Sequence, residues 1–391
     1  MKHFITTLIC CITLMSVQQS AAQTSKAFKV AVIIPIYMDS AFNGMDYKLG
    51  MNNIPKYMLP GLDFYNGIMF AIDSLQQEGI KLEVSIYDSK NARQSLNILV
   101  NSGELNNANL IIASCNNKNE VKLLADLALS NKIPLISATF PNDGGVSNNP
   151  YFVMLNSNLY THLEQLYKYI QKNHASQNIV LCKKKGTAEN TLQSYITEIN
   201  YNASIPLVIK TVELSDTFTT NELIPMLDST EDNLLICSSL NEAFGLKLVK
   251  TMSAIKTTYN STILGMPTWE AMKDFDKMEF GNGLNIVYST PFYFPRKEKP
   301  GADLVKKYSS RYISKPSEMF FKGYEDMYHF GKLLYMHSAM IVNHIADSDC
   351  RLFNEFKIEA TRSRKDHSFQ YLENKKIYIL KRTDKGIELM K

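Results

Sequence analysis

Short apolar runs alternate with amphipathic stretches from Phe28 onward. Phe28 to Tyr37 (FKVAVIIPIY) is predicted as a strand, and Gly61 to Gln77 as an amphipathic helix. Lys81 to Tyr87 (KLEVSIY) reads as a strand and Asn91 to Val100 as a helix. Asn109 to Ala113 is a strand, Glu120 to Leu129 a helix, and Ile133 to Ser137 a strand. Strands alternating with helices in this order predict a parallel sheet with helices on both faces.

The alternation then repeats. Tyr151 to Leu155 (YFVML) is a strand capped by Asn156 and Ser157, and the next helix sets Leu159, Leu163, Leu166, Tyr167 and Ile170 on one face. Asn178 to Cys182, Pro206 to Val212, Asn233 to Cys237, Ser261 to Leu264 and Leu284 to Tyr288 are strands. Thr191 to Ile199, Thr219 to Leu227 and Glu242 to Ile255 are helices. Thr290 to Pro300 is rich in proline and aromatics, which predicts an extended crossing segment. Helices follow over Ala302 to Tyr312 and Ser317 to His344, the second with an apolar core face. In the tail, Phe369 to Leu372 and Ile377 to Leu380 read as strands of a hairpin, with Glu373-Asn374-Lys375-Lys376 as its turn. Met38 to Leu59 has little periodicity and is longer than a plain connection, so it is either a functional rim or lid or a decoration.

The N-terminus changes the picture of location. Lys2 and His3 precede an apolar stretch, Phe4 to Val17, and Ser20-Ala21-Ala22 offers small residues at a cleavage position. Residues 1–22 are therefore expected to be a secretory signal peptide, which predicts an exported protein. No small residue is properly placed before Cys10 or Cys11, which disfavours a lipoprotein anchor. The full chain carries a formal net charge of +4, and losing Lys2 with the signal leaves +3, too balanced to argue for nucleic acid. Cys115, Cys182, Cys237 and Cys350 are scattered without a CxxC pair, so neither a metal centre nor an obligatory disulfide is expected. His337 and His344 lie seven apart on one predicted helix face and read as helix surface. The motifs HExxH, GxSxG, GxxxxGK and a strand-following GxGxxG do not occur, so no catalytic group and no cofactor are expected.

Four segments carry a resemblance. They are the opening strand ending in Pro35 with the later GLDFYNGIMFAIDSL, holding Gly67, Ala71 and Asp73; then KLEVSIYDS; then IPLISATFP; and then FFKGYEDMYHFGKLL. In order and spacing these resemble the type I periplasmic binding protein family, which includes leucine/isoleucine/valine-binding receptors. The wording FYNGIMFAIDSL is most similar to the family's envelope proteins from Bacteroidetes-type bacteria. The resemblance implies an α/β fold of two doubly wound parallel-sheet lobes joined by three crossovers. These are placed near Ala138 to Asn149, Ser289 to Phe294 and His344 to Cys350. The first lobe is then 27–140 plus 290–345, and the second 141–289 plus 346–391.

Ligand would bind in the interlobe cleft, outside the carboxyl ends of the strands, with hinge closure. The resemblance implies that Ser137, Ala138 and Thr139 hold a ligand carboxylate, as hydroxyls and free backbone N–H groups at a strand end can. Ser114 and Asn116 stand where the family usually has Gly-Pro and then serines; here they either contact ligand or cap the next helix. In the second lobe, Thr187, Ser239, Asn241, Trp269 and Glu270 occupy the strand-end loops. Amino-acid receptors carry an acidic residue where this chain has Pro267, which argues against a standard α-amino acid. Trp269, the single tryptophan, offers an apolar wall with one N–H donor and is expected to face Thr139 across the cleft.

Two functions follow from these observations. One is a solute-binding protein that captures a small ligand, for an ABC-type membrane transporter. The other is an envelope scaffold or regulator, for example of peptidoglycan synthesis, that keeps the fold without a small ligand. A hydrolase on this fold is a distant third, since fold alone does not fix function.

Overall fold

The computed structural model describes residues 27–50, 54–278, 283–383 and 386–390; the expected signal peptide lies outside them. In chain order the first elements are β1 (Phe28–Ile34), α1 (Met38–Ala41), β2 (Phe42–Asn43), β3 (Asp46–Tyr47), α2 (Leu59–Gln77), β4 (Leu82–Asp88) and α3 (Leu96–Asn101). Next come β5 (Leu110–Ala113), α4 (Lys118–Asn131), β6 (Leu135–Ser137), β7 (Phe152–Met154), α5 (Leu159–Asn173), β8 (Asn178–Lys184), α6 (Thr187–Tyr201) and β9 (Ile209–Leu214). They are followed by α7 (Thr220–Leu223), β10 (Asn233–Ser238), α8 (Glu242–Ile255), β11 (Ser261–Gly265), β12 (Leu284–Thr290), α9 (Gly301–Arg311) and α10 (Glu318–His337). The chain closes with β13 (Ile358–Arg362), β14 (Phe369–Asn374), β15 (Tyr378–Thr383) and β16 (Gly386–Leu389).

These strands form two seven-stranded sheets, ordered β13-β14-β7-β6-β5-β1-β4 and β16-β15-β12-β11-β10-β8-β9. The pairs among β1, β4, β5, β6 and β7 are parallel, as are those among β8 to β12; antiparallel pairs occur at β13–β14, β12–β15 and β15–β16. Side chains alternate between faces, so both faces are dry. In the first sheet Val30, Val32 and Ile34 face one core while Ala31 and Ile33 face the other. In the second, Val180 and Cys182 oppose Ile179 and Leu181 in the same way. Two lobes, each a largely parallel sheet between helical layers, result.

The helices α2 and α10 cover one face of the first sheet and touch at glycines. A Cβ on Gly67 would lie 2.1 Å from the Phe320 carbonyl oxygen, and one on Gly323 would lie 2.2 Å from that of Phe64. The likeness carried by GLDFYNGIMFAIDSL and FFKGYEDMYHFGKLL is therefore a helix–helix seam in which backbone meets backbone.

Strand pairing corrects the expected division between lobes. β7, placed by sequence in the second lobe, pairs with β6 in the first sheet, so the first crossing falls after it rather than at Ala138 to Asn149. β13 and β14, also assigned to the second lobe, extend the first sheet beyond β7. The second crossing, after Thr290, falls where expected. The tail is not a hairpin: β14 belongs to the first sheet and β15 to the second, so Lys375 to Ile377 is the third crossing.

The physical reason lies in the predicted turn residues themselves. The Glu373 carboxylate is fully buried and accepts hydrogen bonds from the Asn158 backbone N–H (2.8 Å), Asn158 Nδ2 (2.9 Å), Thr161 Oγ1 (2.9 Å) and Thr361 Oγ1 (2.8 Å). Lys375 Nζ sits 2.6 Å from it. These partners belong to the first crossing, α5 and β13, so the polar residues tie two crossings together instead of turning a hairpin.

Two further elements differ from expectation. The Met38 to Leu59 stretch opens with α1 and the small β2–β3 hairpin, with Met45 and Tyr47 exposed. The long helix predicted to reach His344 stops at His337. Ser338 takes φ 52° and ψ −128°, a conformation a non-glycine residue rarely adopts, and a 3-10 segment, Ser338–His344, follows. All four cysteines of the described residues are buried free thiols.

Candidate functional site

In the first lobe the strand ends bring several polar groups together. Ser114 follows β5 and Thr139 follows β6; their hydroxyls lie 3.1 Å apart although 25 residues separate them. Ser114 is buried and Thr139 half-buried, so the pair lines a wall without being sealed in the core. Capping of α4 is done by Asn117, whose side chain accepts from the N–H groups of Asn119 and Glu120. Ser114 and Asn116 are thus released from the capping role that the sequence left open for them. Asn116 is exposed, and its Nδ2 donates to the Tyr37 hydroxyl at 3.2 Å. Ser137 and Ala138 are buried at the end of β6, where the Ala138 N–H donates to the Ala113 carbonyl at 2.9 Å, so their backbone is spent on the sheet.

Residues that sequence reasoning passed over complete this wall. The Asp88 carboxylate, at the end of β4, accepts from the N–H groups of Ile36 (2.9 Å), Tyr37 (3.1 Å) and Met38 (2.8 Å). It holds Tyr37 in a left-handed conformation, φ 62°, with its hydroxyl at Asn116. Lys90 pairs with Glu120, whose other oxygen accepts from the Asn116 N–H at 2.9 Å. The Tyr87-Asp88 ending of KLEVSIYDS was the signal available for this cluster.

In the second lobe, Thr187 is exposed at the first position of α6. Ser239 is fully buried and donates to Glu189 Oε1 at 2.7 Å, and Asn241 caps α8 by accepting from the Phe244 N–H. Ser239 and Asn241 therefore build the loop, with Glu189 as the partner sequence reasoning missed.

Trp269 does not face a cleft. It is fully buried in the second-lobe core, its ring centroid 5.1 Å from that of Phe275. A Cβ on Gly265 would lie 2.1 Å from its ring, so the indole rests on glycine backbone. The expected facing of Thr139 and Trp269 is overturned. The cause is the 3-10 turn Pro267–Ala271, which rotates successive side chains by about 120°. It turns the indole inward, following its large apolar area, and leaves Glu270 outward.

Glu270 lines a cavity of about 780 Å³ between the lobes, with Tyr288 and Arg382 from the second lobe and Phe292, Arg296 and Glu318 from the crossing segment and α10. Burial raises its pKa, opposed chiefly by the charge of Lys322. Thr290 Oγ1 stands 3.2 Å from its carboxylate, and Lys322 Nζ lies 4.4 Å over the Phe292 ring. A second interlobe cavity of about 630 Å³ is lined by Asp143, Leu159, Ala188, Leu240, Arg362 and Tyr371 among others. Across it, Arg364 from the β13–β14 loop places its guanidinium 5.1 Å from the Tyr160 ring and 4.5 Å from the Tyr195 ring, and pairs with Glu198 at 2.7 Å.

No family model matches this chain, and no curated protein is similar to it. Solved structures are similar over nearly its whole length. A putative branched-chain amino acid ABC transporter protein from Rhodospirillum rubrum has a TM-score of 0.67 at 9% identity, covering 93% of this chain and 100% of that one. A branched-chain amino acid ABC transporter periplasmic ligand-binding protein from Burkholderia xenovorans LB400 has a TM-score of 0.63 at 10% identity, covering 94% and 95%. An ABC transporter substrate-binding protein from Desulfitobacterium hafniense, determined in complex with Leu, has a TM-score of 0.57 at 13% identity, covering 93% and 100%. The chain has the type I periplasmic-binding-protein fold. Among the described residues, no helix is long and apolar enough to cross a membrane.

Proposed function

We propose that this protein is a periplasmic solute-binding protein that captures a small molecule between its lobes and presents it to an ABC-type transporter, without catalysing a reaction. The observation that carries this reading is the Ser114–Thr139 hydroxyl pair at neighbouring strand ends, backed by Asn116, Tyr37 and the Lys90–Glu120 pair. Open α/β sheets bind ligands outside the carboxyl ends of their strands, and this wall lies there. The likeness to solute-binding proteins supports the class. Ser114, Asn116 and Thr139 are the groups for an anionic or strongly accepting part of the ligand, with the end of β6 at Ser137 and Ala138 as support. Thr187 and Glu270 are the second-lobe candidates, Glu270 suiting a cationic or hydroxyl group, and Ser239 and Asn241 shape the loop between them. The FYNGIMFAIDSL wording supports a place in the Bacteroidetes-type envelope branch.

The test is a thermal-shift screen of the purified protein against metabolite libraries, joined to native mass spectrometry for carried-over ligand. A bound small molecule should be found, and Thr139→Ala should weaken it by about 0.5–1.5 kcal/mol for a neutral partner, with a separate small fall in the ligand-free melting temperature because the buried Ser114 hydroxyl loses this bond. A protein that carries no small molecule and is stabilised by none would sink the reading. The envelope-scaffold alternative is favoured by the Met45, Tyr47, Ile54 and Tyr57 side chains exposed on the 38–59 arm. Crosslinking in intact cells distinguishes the two, since a scaffold should trap a protein partner through that arm.

A further inference from the structure

Among the described residues, one cluster lies far from either cavity and matches the donor set of a metal site. His337 is the last residue of α10, His344 ends the 3-10 segment that follows it, and Asp347 lies just beyond. On a continuous helix, His337 and His344 would be separated by two turns, about 10 Å along the axis. The break at Ser338 folds the chain back, and the two imidazole rings lie 3.7 Å apart at 7°. The left-handed φ of Ser338 is the local strain that brings this about.

Asp347 Oδ2 stands 2.9 Å from His344 Nδ1 and 3.6 Å from His337 Nε2, and ligand atoms of all three residues lie within 4.8 Å of one another. The edge of a tetrahedron with metal–ligand bonds of about 2.0–2.1 Å is about 3.3–3.4 Å, so the two Asp347 distances bracket what one ion requires. His337 Nε2 is buried and makes no hydrogen bond, leaving a lone pair or proton aimed into the cluster. The rings are stacked, so one must rotate about its χ2 for both nitrogens to point at a common ion.

We propose that His337, His344 and Asp347 form a binding site for one divalent transition-metal ion of the Zn²⁺ class. Two imidazoles and a carboxylate suit a borderline cation, while Mg²⁺ and Ca²⁺ prefer oxygen-only sets. Three protein ligands leave a fourth position for water or for a side chain from another molecule. The site sits at the pole of the first lobe away from the cleft: the end of α10 lies beside the end of α2, where Tyr328 and Lys332 reach Glu78, ahead of the starting end of β4. It is therefore independent of the proposed solute site. Bound metal would pin the 338–347 segment to the helix that precedes it.

The metal-stripped full chain, titrated with Zn²⁺ by calorimetry and with Co²⁺ by visible absorption, tests this. One equivalent should bind, Co²⁺ should show the intense absorption of a tetrahedral centre, and Zn²⁺ should raise the melting temperature. His344→Ala and Asp347→Asn should each weaken Zn²⁺ binding by about 10-fold or more. Both residues are half-exposed, and Asp347→Asn keeps the side-chain volume, so it gives the reading should His344→Ala fold poorly. Absence of saturable one-to-one binding overturns the proposal. So does undiminished binding in Asp347→Asn, which would locate the ion elsewhere.

Discussion

Individual side chains show where burial overrides chemical promise. Trp269 carries a donor and a large ring, yet it lies in the core on the backbone of Gly265 and Gly245. Trp269→Ala should destabilise the protein by about 3–5 kcal/mol, read as a drop in the urea midpoint, whereas a cleft residue would leave stability unchanged. Glu325 and Asp326 are fully buried on α10, and burial pushes Glu325 up to about 7 and Asp326 well above the usual carboxylate range. Glu325 accepts from the N–H groups of Phe353 and Asn354, while Asp326 makes no hydrogen bond. A raised carboxyl pKa means the folded state holds a proton the unfolded chain has released. That stability is fully present below about pH 4 and is lost as pH rises through the native values. His329, held down to about 4 by burial, and His162, held down to about 3, have the opposite sign. Their contribution is present above about pH 6.5 and is lost as pH falls through those low values. Asp326→Asn removes a term of the first kind only. Melting curves at pH 5 and pH 9 should show a smaller loss at alkaline pH for the variant than for the wild-type protein. Parallel losses would show that Asp326 is ionised in the folded state.

At the scale of elements, the strand–helix alternation was legible because each periodicity is local. Glu242 to Ile255 forms as one helix over the predicted span, and β5, β10 and β12 fall within a few residues of expectation. What the sequence could not show is which sheet a strand joins. Phe152–Met154 and Phe369–Asn374 have apolar patterns that would suit either lobe, and their pairing to each other is parallel across more than two hundred residues. The polar run after Phe369 looks like a turn locally, and only the distant Asn158, Thr161 and Thr361 reveal that Glu373 is an acceptor for donors at the first crossing. The same limit explains the site. Thr139 and Ser114 could be picked as candidates from their strand ends, whereas Lys90 and Glu120 gain meaning only once they are paired. Glu373→Ala should leave Lys375 and four other donors without their buried partner and cost about 3–5 kcal/mol, measured by equilibrium unfolding. A loss near zero would mean that water replaces the carboxylate at the crossings.

For the whole molecule, the relation between lobes is governed by three crossings and by contacts that bridge the cavities. Arg364, reaching from the first sheet between Tyr160 and Tyr195 of the second lobe, is one such bridge. Cation–π contacts at exposed positions contribute about 0.5–1 kcal/mol each, enough to bias a hinge without locking it. Arg364→Ala should therefore shift the ligand-free protein toward a more open arrangement, seen as a larger radius of gyration by solution scattering with no change in circular dichroism. An unchanged radius would place the restraint in the crossings themselves. The third crossing has a consequence of another kind. Because the first sheet takes β13 and β14 and the second takes β15 and β16, the first sheet is completed only after every strand from β8 to β12 has been made, and the second only after the first. Synthesis thus leaves one unfinished edge on each sheet, the first waiting for Ile358–Asn374 and the second for Tyr378–Leu389. A chain stopped before Gly386 would leave the β15 edge of the second sheet unpaired, and one stopped before Ile358 would leave both sheets open at once.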